Sequence, residues 1–263
     1  VRLNFAPAGS VFVLFRHKPG ADHLIHAEAE SAAAGVWRVA QSKSGTFGIT
    51  TWSNAAFELR TAAGKVLRAQ VRDLPAAQPV SGPWALSFPH GWGAPDQVIL
   101  EKLGSWTESA NEGVKYFSGT ATYSRELVVD DSMVSGGRSL WLDLGSVKNI
   151  AEVSFNGRNL GILWKPPFRV ELTPAARRGS NRLEVKVTNL WPNRLIGDEQ
   201  LPPDCEWNGK PLKAWPDWLL AGKPSPSGRL TFTTWHHWSK DSPLLESGLL
   251  GPVTLSIAQE VIP

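Results

Sequence analysis

The sequence predicts an all-β protein built as a β-sandwich, and three observations carry that prediction. Short β-rich or alternating apolar runs recur between turn residues along most of the chain. An Asn-Gly pair, Asn156-Gly157, sits between two such runs and marks a hairpin, because both residue types tolerate positive φ. Helical periodicity is thin, and many short strands with few helices point to a sandwich.

Taken in order, the first strands are expected at Ser10–Arg16, Val36–Ala40, Gly45–Thr51, Ala56–Thr61 and Lys65–Arg72, with Ala62-Ala63-Gly64 as the turn between the last two. Asp22–Ala34 is Ala-rich and carries some helical propensity. The run Asp73-Leu74-Pro75-Ala76-Ala77-Gln78-Pro79 reads as a linker. A boundary near residue 80 therefore separates a smaller β-rich domain, 1–80, from a larger one, 81–263. The larger part continues with Gly82–Phe88 and then Gly119–Val129, where Ala121, Tyr123, Arg125, Leu127 and Val129 share one face. Ser139–Leu144, Ala151–Phe155, Leu160–Leu163 and Phe168–Leu172 follow. Thr173-Pro174-Ala175-Ala176 reads as one short helical turn. Asn181–Asn189 alternates Leu183, Val185 and Val187 with polar residues, and Arg229–Trp235 and Pro252–Ile257 complete the strands.

Residues 190–228 show no strand pattern but hold Trp191, Trp207, Trp215 and Trp218 among seven prolines. A long unpatterned segment is functional or disordered. Disordered segments are poor in aromatics, so this one reads as an ordered loop packed on the sandwich or on a partner.

Composition narrows function. With 27 Lys plus Arg against 24 Asp plus Glu, the net charge of +3 is weak for a nucleic-acid binder, and no basic run is present. No apolar stretch is long enough to span a membrane, and no signal peptide is visible at Val1-Arg2-Leu3, so the chain reads as a fragment or processed product. The lone Cys205 excludes an intrachain disulfide. Thirteen tryptophans suit both a sandwich core and stacking on sugars.

Several blocks carry a family resemblance. They are Gly82-Pro83-Trp84-Ala85-Leu86-Ser87-Phe88-Pro89, Gly91-Trp92-Gly93-Ala94-Pro95, Ser105-Trp106-Thr107 and Gly113-Val114-Lys115-Tyr116-Phe117. Further blocks are Leu163-Trp164-Lys165-Pro166-Pro167-Phe168, Asn189-Leu190-Trp191-Pro192-Asn193-Arg194-Leu195-Ile196-Gly197-Asp198-Glu199-Gln200 and Ser247-Gly248-Leu249-Leu250-Gly251-Pro252-Val253. Together they resemble the carboxy-terminal region of glycoside hydrolase family 106, the α-L-rhamnosidase-like enzymes of pectin breakdown. The order of the Tyr123 strand, the Asn156-Gly157 hairpin, Pro166-Pro167-Phe168 and Gly179-Ser180-Asn181 also resembles the jelly-roll sugar-binding domain of family 2 glycosidases. The resemblance covers about residues 80–258; before residue 80 only Gly9–Arg16 looks familiar. It implies a galactose-binding-like jelly roll, an extracytoplasmic (secreted or periplasmic) parent protein, and catalytic carboxylates on an upstream (β/α)₈ barrel. Such a barrel needs about 250 residues, and this chain has no room for it.

Glycoside hydrolysis normally needs two carboxyl groups facing across the bond, about 5–9.5 Å apart. Asp198 and Glu199 are the weak catalytic candidates, and their adjacency is not that geometry. Asp198, Glu199 and Asp204 offer oxygen ligands, and a structural Ca²⁺ is expected by analogy with related modules. Trp235-His236-His237-Trp238, read as a strand, splits its two His residues between faces, which disfavours zinc. Trp106, Glu108, Lys115, Trp164, Lys165, Asn193, Arg194, Trp207 and Trp238 have the aromatic and hydrogen-bonding groups of a sugar site. Trp106, Trp164 and Trp207 would serve equally at an interface with a barrel, and Arg194 would buttress Asp198 or Glu199. Trp84 and Trp141 read as core, and Gly91-Trp92-Gly93 as a turn. The expectation is a non-catalytic carbohydrate-binding or accessory module for rhamnose-containing plant glycan. The alternatives are a structural domain that docks on and completes a glycosidase barrel, and a hydrolase in its own right that uses loop carboxylates.

Overall fold

A computed structural model describes residues 5, 9–14, 22–30, 36–42 and 45–263. Alternation of apolar and polar side chains builds the strands, and each sheet buries one face. The amino-terminal part contributes β1 (Leu24–Ala29), β2 (Trp37–Gln41), β3 (Phe47–Thr51), β4 (Ala55–Thr61), β5 (Val66–Val71) and the short β6 (Gln78–Pro79). Next come β7 (Trp84–Ser87), β8 (Gln97–Leu100), the single turn α1 (Glu112–Lys115) and β9 (Thr120–Val129). β10 (Arg138–Asp143), β11 (Ser146–Lys148), β12 (Ile150–Phe155), β13 (Arg158–Leu163), β14 (Arg169–Glu171) and β15 (Gly179–Thr188) follow. The chain then forms α2 (Pro192–Asp198) and α3 (Asp217–Leu220) before β16 (Gly248–Gly251) and β17 (Thr254–Val261).

Two large antiparallel sheets make the sandwich. One runs β13-β12-β15-β9-β7-β8; the other runs β14-β10-β17-β3-β2, with β6 also paired to β17. The second sheet thus takes strands from both sides of residue 80. β1-β4-β5 form a three-stranded sheet, and β11 pairs β16. Ala121, Tyr123, Val153, Phe155, Val185 and Val187 from the first sheet and Leu140, Leu142 and Ile257 from the second join one buried cluster. Trp84 is fully buried, as its place in a strand predicts, whereas Trp141 is half-buried and meets Trp52 edge-on.

The hairpin at Asn156-Gly157 forms as expected, with φ of 51° and 78°. Asn156 does more than accept positive φ. Its Nδ2 donates to Ala175 O (2.9 Å) and Asn181 Oδ1 (2.7 Å), and its Oδ1 accepts from Arg182 N (3.0 Å).

Four expectations change. Within Asp22–Ala34, helical propensity yields to pairing: residues 24–29 form β1 against β4, and 31–34 lie outside the described residues. Of Ser10–Arg16, residues 10–14 join no sheet, and Phe15 and Arg16 lie outside the described residues. Arg229–Trp235 is not a strand, because Leu230 N and Thr231 N donate to the Asp198 carboxylate instead of to a neighbouring strand. The segment 190–228 is ordered but not wholly irregular, since it holds α2 and α3.

Candidate binding cleft and the polar lock beneath it

α2 is held by buried polar side chains. Pro192 opens it, and Asn193, Arg194, Ile196, Gly197 and Asp198 are buried. A Cβ at Gly197 would overlap both Arg194 and Tyr116, so only glycine lets the helix lie this close. Asn193 grips the backbone of Leu245 from both ends of its amide: Nδ2 donates to the carbonyl (2.7 Å) and Oδ1 accepts from the N–H (2.8 Å).

Arg194 Nη2 pairs with Asp198 Oδ1 at 3.1 Å, with both side chains more than nine-tenths buried. The other carboxylate oxygen of Asp198 accepts from Leu230 N (3.1 Å), Thr231 N (2.8 Å) and Thr231 Oγ1 (2.5 Å). One residue on, Glu199 receives Arg229 Nη1 (2.8 Å) and contacts His236 Nε2 (3.1 Å). Arg229 also donates to the carbonyls of Pro202 and Leu201 (3.0 Å each) and lies 3.9 Å from Asp204. These contacts lock segment 229–236 onto α2 and the residues after it.

The lock also decides the carboxylates' chemistry. Asp198 and Glu199 each lie beside a guanidinium and contact segment 229–236, so both carboxylates serve the lock. Arg194 lies beside Asp198 and Arg229 beside Glu199, each supplying positive charge to the carboxylates that a Ca²⁺ would draw on, while Asp204 Oδ2 is buried without a hydrogen-bond partner. Among the described residues no group of three or more His, Cys, Asp or Glu side chains could hold a metal ion. His236 stacks on Trp207 (centroids 5.1 Å, 14° between planes), and His237 instead lies near Trp235. Cys205, beside Asp204, has its thiol pushed up to about 11 by burial and then by that neighbouring carboxylate.

Above the lock lies a cleft of about 260 Å³ lined by Pro89, Trp92, Phe117, Trp191, Arg194 and Thr231, with Ser118, Gly119 and Thr120 beside them. Trp92 and Trp191 are exposed, at 42% and 63%. Ser118 Oγ donates to Trp191 O (3.3 Å) and accepts from Arg194 N (3.0 Å), which fixes the wall to the floor. Arg194 Nε is buried without a hydrogen-bond partner.

The residues expected to bind sugar are dispersed. Arg194 lines the cleft, but Asn193 is fully used in holding Leu245. Trp207 and Trp238 line a separate recess with His236 and Glu199. Trp164 is 68% exposed, with the Lys165 ammonium 5.8 Å from its ring centre. Glu108 is exposed at a short 3₁₀ turn, and Lys115 lies over Tyr116. Trp106 is a correction: it is 2% exposed, and its Nε1 donates to Tyr123 Oη at 2.6 Å, so it packs the core and offers no face to a ligand. Trp92, Trp191, Phe117, Ser118, Thr120 and Thr231 line the cleft without belonging to the sugar-binding set expected from sequence. The legible signal was Trp92 between two glycines, a large ring with no strand to bury it.

No protein-family model matches the sequence. A curated relative, the "putative beta-glucuronidase" of Formosa agariphila, is 48% identical over 197 residues, covering 75% of this chain. The chain spans 17% of that relative's length. Among solved structures, the rhamnosidase of Novosphingobium sp. PP1Y superposes with a TM-score of 0.57 at 26% identity, covering 89% of this chain and 25% of that one. The β-glucuronidase of Bifidobacterium dentium gives a TM-score of 0.45 at 20% identity over 72% of this chain and 30% of that one. The chain is a glycosidase-related, all-β sandwich unit.

Proposed function

We propose that the chain is a non-catalytic carbohydrate-binding module of a rhamnosidase-like glycoside hydrolase of the family 106 type, and that it holds rhamnose-containing plant glycan in the Trp92–Trp191 cleft. The observation that carries the reading is the pair of exposed indoles on a largely apolar cleft with hydroxyls beside it and one guanidinium. Mostly apolar walls with a few placed polar groups are the usual make-up of a small-ligand site, and aromatic rings present flat apolar faces to a sugar's C–H groups. Among the described residues Arg194 is the one charged side chain in the lining, and Asp198 balances it. A neutral sugar therefore suits the cleft better than a uronate, whose charge would enter without a free counter-ion. The match to the Novosphingobium rhamnosidase supports a glycosidase setting, as does the similarity to the Formosa β-glucuronidase-like protein. Such a setting fits an extracytoplasmic parent.

The test is a plant-glycan array on the purified chain, followed by titration of the best ligand against Trp92→Ala and Trp191→Ala. Each exposed indole removed is expected to weaken binding about tenfold, the equivalent of ~1.4 kcal/mol. Wild-type affinity in both variants, or no bound glycan, would overturn the reading. A second role, docking on a catalytic barrel, is favoured by the exposed Trp215 and Leu220 (57% and 70%). They lie outside the cleft lining, so Trp215→Ala should spare glycan binding.

A further inference from the structure

The cleft does not stop at Trp191. We infer that it is one end of an oligosaccharide-binding surface that crosses the sheet strands to Trp164. This rests on the cleft reading above and adds the form of the ligand: a glycan chain, with the terminal or internal residue in the cleft continuing over neighbouring strands.

Strand register carries the argument. Ala151 lies opposite Leu163, so the next position of β13's continuation, Trp164, falls opposite Ile150. Ile150 pairs with Thr188, and Thr188 pairs with Thr120. Thr120 lines the cleft. Trp164, Ile150, Thr188 and Thr120 therefore form one row across four adjacent chain segments, perpendicular to the strands. At about 4.8 Å per strand step, the row is roughly 14 Å long, too long for one sugar ring and suited to a short chain.

The row faces outward. Its inner neighbours Ala151, Val187 and Ala121 are all fully buried, and side chains alternate between faces along a strand. Ile150 and Trp164 are 42% and 68% exposed. Along the row, at its cleft end, stand the Thr120 and Thr188 hydroxyls, joined at 2.7 Å, each with further hydrogen-bonding capacity. Lys165 lies over the Trp164 ring and forms no ion pair among the described residues. It is placed to donate to a glycan oxygen at that end. An exposed ring at one end, a cleft with exposed rings at the other and hydroxyls along the row match a chain whose C–H faces stack and whose hydroxyls point to the sheet.

The experiment is calorimetric titration of the full chain with a disaccharide, a tetrasaccharide and a hexasaccharide of a neutral rhamnose-containing glycan. Wild-type, Trp164→Ala, Trp164→Phe and Trp191→Ala proteins are compared, with thermal melts as the folding control. Wild-type affinity should rise with chain length. Trp164→Ala should lose roughly tenfold on the hexasaccharide while leaving the disaccharide unchanged, and Trp164→Phe should recover part of the loss. Trp191→Ala should weaken all three. Length-independent wild-type binding, or a Trp164→Ala effect equal at all lengths, overturns the extended surface and leaves the cleft reading standing. Failure of Trp191→Ala to weaken the disaccharide overturns the cleft reading itself. An unchanged hexasaccharide affinity in Trp164→Ala would also overturn the extended surface, and would point to Trp164 as part of a protein-docking face.

Discussion

Replacing Asp198 with Asn tests the polar lock directly. The side chain is 4% exposed, and its carboxylate serves four contacts: Arg194, Leu230 N, Thr231 N and Thr231 Oγ1. Asparagine keeps the shape and one acceptor oxygen, so the amide N–H groups of 230 and 231 can still be met. What it removes is the negative charge opposite Arg194, which is itself 9% exposed. Breaking a buried pair by deleting one partner costs about 3–5 kcal/mol, because the remaining charge stays buried and uncompensated. For a chain of this size, each kcal/mol lowers Tm by about 2–4 °C, so the expected fall is roughly 6–20 °C. The assay is thermal unfolding by circular dichroism, with Arg194→Met and the double variant completing a mutant cycle. The cycle should return a coupling energy of at least ~1 kcal/mol. A Tm within about 2 °C of wild type, or additive single effects, would show that the pair is solvated and that the lock does not hold segment 229–236.

Trp106→Ala should cost about 3–5 kcal/mol through the cavity it leaves and the lost bond to Tyr123, while any folded fraction binds glycan as wild type does; reduced affinity in the folded fraction would return Trp106 to the site. Stability should decline with rising alkalinity, followed as Tm against pH. Burial pushes the Cys205 thiol from 9.0 to about 11 and pushes the Tyr123 phenol above its usual 10.0. The unfolded chain then releases both protons first, so their contribution is present below pH 9 and is lost as pH climbs through 9–11 and beyond. Cys205 should accordingly react with a thiol reagent near neutral pH more slowly than free cysteine, and an equal rate would refute its shielding. EDTA should leave both Tm and glycan affinity unchanged, since Arg194 and Arg229 already pair with Asp198 and Glu199; a fall in either would reveal a bound cation.

The sandwich was legible where one residue in two decided the outcome. In β9 and β15 the alternation alone marks Tyr123, Val185 and Val187 as inward, and the structure buries all three. α2 was not legible, because its stability is not written in its own seven residues. It has too few turns for an apolar stripe, and it is held by Asn193 reaching Leu245 and Asp198 reaching Thr231, partners 52 and 33 positions away. The same long reach turned Arg229–Trp235, β-prone by composition, into a clamp. Trp106 was misread because loop position suggested exposure. The 3₁₀ turn begun by Ser105, whose Oγ caps Thr107 N, sets the indole where it meets Tyr123 and Phe117. The Trp92–Trp191 cleft needs residues a hundred positions apart to be brought side by side, and no local pattern reports that.

The second large sheet has a temporal consequence. β17 is flanked by β10 on one side and β3 on the other, and the Gln259–Thr51 pairing joins positions 259 − 51 = 208 apart. The entropy of closing that loop, (3/2)RT ln n, exceeds that of a ten-residue hairpin by about 2.7 kcal/mol. The strands of residues 120–188 and 248–261 can therefore condense before β3 and β2 arrive, and β17 waits as an unpaired edge until they do. The amino-terminal strands are then the last to dock and the first to peel away, so amide exchange should begin at Ile49 and Thr51 while Tyr123 and Val185 remain protected.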